Sequence, residues 1–124
     1  MKKNTIKILI IYHSLLLNES IKKAISHHED LQVVAETTEL EMVSLLAEKH
    51  QPDWILLIME AGTKLPNEIV NVMETSEDIR LLAFPTDGSK IEVFENPKEG
   101  KLLQIDVLEQ LLEVMKTPSV LLNK

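Results

Sequence analysis

The sequence predicts a doubly wound α/β domain, and three observations carry that expectation. Short, almost wholly apolar runs at residues 6–11, 54–59 and 79–84 have the composition of strands buried on both faces. Amphipathic helical stretches lie between them. Capping and proline signals fall where those helices should start or stop. Strands alternating with helices imply parallel βαβ units, in which helices cover both faces of the sheet.

Each element has a local reason. The first helix spans about 15–27, with Leu17, Ile21, Ala24 and Ile25 on one face, and residues 31–35 form the second strand. Thr38-Glu39-Leu40-Glu41 has the form of a capping box, whose two side chains would each satisfy a free N–H at a helix start. That helix runs to about His50 and stops before Pro52, whose ring disfavours helical geometry in the residue ahead. Pro66 opens a helix to about Met73, because its missing N–H costs nothing in the first turn. From Asp106, an N-cap candidate, Leu108, Leu111, Leu112 and Met115 mark the last amphipathic helix, which Pro118 ends.

Residues 86–100 support two structures. Asp87-Gly88 between apolar runs is a hairpin signal that would pair residues 91–94 back against the fourth strand. Ser89-Lys90-Ile91-Glu92 is a second capping box, and Pro97 would end a short helix. The short helix is preferred, because residues 101–105 form the next strand and a parallel crossover needs a dozen or more residues.

Composition narrows the function. A chain of 124 residues is one domain with room for a real core, and 44% hydrophobic against 27% charged residues sets it apart from disordered chains. Aromatics are scarce at 3%, so Leu, Ile and Val must fill that core. The absence of cysteine excludes disulfides and thiolate metal sites and suits a reducing cytoplasm. The basic N-terminus is followed by an apolar run cut by Tyr12, His13 and Asn18, too broken for a signal peptide; no run has membrane-spanning length. A net charge of −7 with scattered basic residues argues against direct nucleic-acid binding.

Four stretches, "IKILIIYHSLLLNESI", "DLQVVAE", "PDWILLIM" and "DIRLLAF", resemble in order and spacing the receiver family of two-component signalling, in the branch that carries a LuxR-type DNA-binding domain. "GKLLQ" and the helix after it resemble that family's fifth strand and final helix. The resemblance implies a CheY-like, flavodoxin-like sheet of five parallel strands, order 2-1-3-4-5, with the fourth helix shortened or remodelled. It also implies a receiver-like domain over 1–118 and a tail over 119–124. In that family an acidic pair after the first strand and an aspartate ending the third bind Mg²⁺, and the aspartate accepts the phosphoryl group. A hydroxyl ending the fourth strand and a lysine ending the fifth contact the phosphate.

In this chain the acidic pair falls on Tyr12 and His13, the phosphoacceptor on Ile58 and the hydroxyl on Pro85. The lysine position falls on Gln104, or on Asn96 under the hairpin alternative. The resemblance therefore implies a degenerate, non-phosphorylatable receiver: no enzyme, no cofactor, and a cytoplasmic regulatory role through contact with another protein or a second copy. In the family the fourth helix, fifth strand and fifth helix usually bind partners, which singles out Ile91, Phe94, Glu109 and Glu113, with Phe94 expected to be exposed.

Other candidates rank lower. Tyr12 and His13, with Glu60 nearby, could form a small-molecule or phosphate-sensing pair in a mouth made more apolar by Ile58 and Pro85. The plainer reading, that they fill vacated space, is preferred because fold does not carry function. His27 and His28, beside Glu29 and Asp30, lack zinc-motif spacing and suit an exposed helix end. Glu60 and Asp87 are too few oxygen ligands for Mg²⁺. Ser14 and Thr86 show no partner base, and Gly62, Gly88 and Gly100 form no phosphate-binding loop.

Overall fold

The computed structural model describes residues 5–13, 15–60, 63–76, 78–86, 91–96, 99–103 and 108–116. Its elements are β1 (Ile6–Ile11), α1 (Leu15–Ile25), β2 (Leu31–Thr37), a 3₁₀ turn (Leu40–Met42), α2 (Val43–His50), β3 (Trp54–Met59), α3 (Asn67–Thr75), β4 (Arg80–Pro85), β5 (Ile91–Asn96), β6 (Glu99–Leu103) and α4 (Leu108–Lys116). One sheet of order β2-β1-β3-β4-β5-β6 contains all six strands. The α/β class and the order 2-1-3-4 of the first four strands are as expected.

Burial explains the central strands. Ile8, Leu9 and Ile10 of β1 and Trp54, Ile55, Leu56 and Ile58 of β3 are 0% exposed, as strands covered on both faces must be. Side chains alternate between the faces along each strand. Ile8, Ile10, Trp54, Leu56 and Ile58 join Ile21 and Ile25 of α1 and Leu112 and Met115 of α4 in one core. Leu9, Ile11, Ile55 and Leu57 join Val43 and Ala47 of α2 and Ile69, Val72 and Met73 of α3 in the other. Thus α1 and α4 cover one side, and α2 and α3 the other.

The sheet departs from the expected one past β4. The pairs β1·β2, β1·β3 and β3·β4 are parallel, but β5 runs antiparallel to β4, and β6 antiparallel to β5. The expected short helix over 86–100 is therefore replaced, in its described part, by a strand. The expected fifth parallel strand is β6, displaced one place outward. The reason lies in periodicity. As a strand, residues 91–94 put Ile91 and Val93 on the α1/α4 face and Phe94 on the other, and all three are buried at 3%, 2% and 7% exposure. A helix would have turned Val93 about 200° away from Ile91, onto the opposite face. Ile and Val are also strong strand formers. Gly100, opposite Phe94, leaves room for the Glu92 side chain, which a Cβ there would strike.

Smaller departures have local causes. Thr38 caps nothing: the turn before α2 has Glu39 at its N-cap position with no side-chain cap. Instead the Glu39 N–H donates to Thr37 Oγ1 at 3.0 Å. Helix α2 ends at His50, ahead of Pro52, and Gln51 takes a left-handed conformation with φ 47° while its N–H donates to Ala47 O at 2.8 Å. Pro66 stands one place before α3, where its carbonyl accepts from the Ile69 and Val70 N–H groups. The proposed cap Asp106 and the tail over 119–124 lie outside the described residues, as does the Asp87-Gly88 turn.

Candidate functional site

The receiver-type site would lie at the carboxyl ends of β1, β3 and β4, where doubly wound folds bind ligands. The parallel register brings Tyr12, His13, Ile58 and Pro85 to that end. Ile58 pairs with Phe84, Met59 pairs with Pro85, and Thr86 N–H closes the edge by donating to Met59 O at 2.9 Å. Tyr12 N–H donates to Thr37 O at 3.1 Å, and its ring packs, half-buried, against the α1/α4 core. His13 is exposed.

Ile58 is the decisive residue. Its side chain is 0% exposed within the α1/α4 core and offers no nucleophilic atom and no oxygen to a cation. Pro85 is likewise buried. Neither side chain is presented to a ligand at the mouth. Glu60 is exposed and heads a turn in which Thr63 Oγ1 donates to the Glu60 carbonyl at 2.7 Å. Gln104 lies outside the described residues. Asn96, its alternative, ends an antiparallel strand and so sits at the opposite end of the sheet from Pro85. Asp87, Ser14, Gly62 and Gly88 lie outside the described residues too. Among the described residues no group of three or more His, Asp or Glu side chains could hold a metal ion.

The proposed interface residues divide. Ile91 and Phe94 are core residues, and the expectation that Phe94 is exposed is corrected: it packs on Leu81, Ala83 and the α3 side chains of the second core. Glu113 is exposed and lies 3.7 Å from Lys116. The side chain of Glu109 lies outside the described residues.

Three polar features went unnoticed in the sequence. Asn18 is 0% exposed in the apolar stripe of α1, with Nδ2 donating to Glu36 Oε1 at 2.9 Å and Oδ1 lacking a hydrogen-bond partner. The spacing Asn18, Ile21, Ile25 would have shown it facing inward. Lys22 reaches both Glu36 oxygens, at 3.2 and 2.9 Å, and Glu19 at 3.1 Å. These contacts hold the Glu36 carboxyl below its ordinary value, through Lys22 above all, and raise the Lys22 ammonium. The second feature joins β3 to α4: Trp54 Nε1 donates to Met115 O at 2.9 Å, while Arg80 stacks 4.4 Å from the Trp54 ring centroid. Burial pulls the Arg80 guanidinium below its usual range, opposed by Glu95 and Asp53.

The third feature anchors the same, C-terminal end of α4. Lys116 Nζ lies 2.9 Å from His28 Nδ1 and 3.4 Å from Asp30. His28 thus sits at the C-terminal end of α1, as its sequence position suggests, but serves to fasten α4. A cleft of about 810 Å³ opens at the amino ends of the parallel strands, lined by Lys7, Ser44, Glu48, Asp53, Thr75 and Asp78 among others. It lies at the end of the sheet away from Tyr12 and Ile58.

No protein-family model matches the sequence, and no curated protein matches it. The receiver likeness rests on the chain's own residues and on the order of its parallel strands. Among the described residues no helix is long and apolar enough to cross a membrane.

Proposed function

We propose that this chain is a receiver-like module that does not take a phosphoryl group and acts through protein contact in bacterial signalling or transcription control. The observation that carries the reading is Ile58. The penultimate residue of β3 is a fully buried aliphatic side chain where a receiver would place its nucleophile. Tyr12 and His13 stand where acidic metal ligands would be, and Pro85 where a hydroxyl would report the phosphate. With all four changed, neither cation nor phosphoryl oxygen has its usual partners. The reading is accordingly of a regulatory, non-enzymatic protein.

Incubation with Mg²⁺ and a small-molecule phosphodonor, followed by intact-mass measurement, tests this directly. The expected result is an unchanged mass. An acid-labile phosphoryl adduct would sink the reading.

The partner is proposed to be another protein or a second copy, meeting the surface of β6 and α4. With Ile91 and Phe94 in the core, that surface must work through side chains such as Glu113. Light scattering across a concentration series should show either a dimer that Glu113→Lys weakens or a monomer at every concentration. The monomer would leave a different protein as partner and exclude self-association.

A further inference from the structure

We draw no further inference here: the strongest candidate, the cleft between the C-terminal ends of α2 and α3 walled by Glu48, Asp53 and Asp78, is an acidic cluster over an apolar floor, and nothing in the structure points to what it would hold.

Discussion

The two halves of the sheet solve the same burial problem by different means. From β2 to β4 the strands are parallel and joined by helices, and the central β1 and β3 are apolar on both faces, so Ile8–Ile11 and Trp54–Ile58 are continuous hydrophobic runs. From β4 to β6 neighbouring strands are antiparallel, and in β5 polar residues alternate with apolar ones, as in Ile91-Glu92-Val93. Crossovers demand length and a helix; a hairpin demands neither. The difference teaches that a strand can join the sheet through a crossover helix or by antiparallel pairing, and that both routes bury it: Ile91 and Val93 enter one core and Phe94 the other.

The largest expected effect probes the parallel half. Ile58→Asp places a carboxylate in a dry core, and should lower unfolding free energy by about 4 kcal/mol. Urea titration measures it. A change under about 1 kcal/mol would mean that the end of β3 is open to water, and the contrast between the halves would weaken.

Phe94→Ala probes the antiparallel half and should cost about 3 kcal/mol, the lower end for emptying a buried phenylalanine site. Hydrogen exchange on this variant sharpens the comparison. If β5 amides lose protection while β1 and β3 amides keep theirs, the hairpin opens as a separate unit. Equal loss everywhere would show one cooperative sheet.

The smallest effect concerns Glu36. Its folded pKa is depressed below 4.5, so its contribution is present above the unfolded value and disappears as pH falls through the folded one. Because the pair is partly exposed, the contribution should stay under about 1 kcal/mol. Urea midpoints at pH 7 and pH 3 should differ less in Glu36→Gln than in the parent. An identical difference would remove Lys22 and Asn18 from any role in fastening α1 to β2.

Legibility in the sequence followed the same division. Unbroken apolar runs with helices between them can be little else, and β1, β3, β4 and α1 to α4 fall close to their predicted places. Residues 86–100 carried competing local signals, a capping box against a turn dipeptide, and both are satisfied by short-range contacts. Only the tertiary burial of Val93 and Phe94 decides between them, and that depends on partners far away in the chain. The same holds for Thr38, which gives way to a local turn in which Thr37 Oγ1 accepts from the Glu39 N–H. Of the candidate site, the inward-facing aliphatic Ile58 was legible from its place in an apolar run. The depth of its burial and the inward turn of Asn18 were not.

The contact between Trp54 and the carbonyl of Met115 has a mechanical side. Helix α4 follows β6 at the outer edge, yet it ends against β3, three strand positions inboard. The last turn of α4 is held from two sides, by the Trp54 indole below it and by His28 and Asp30 beside Lys116. Pulling that turn away from the sheet must therefore load β3 at the centre and the end of α1 at once.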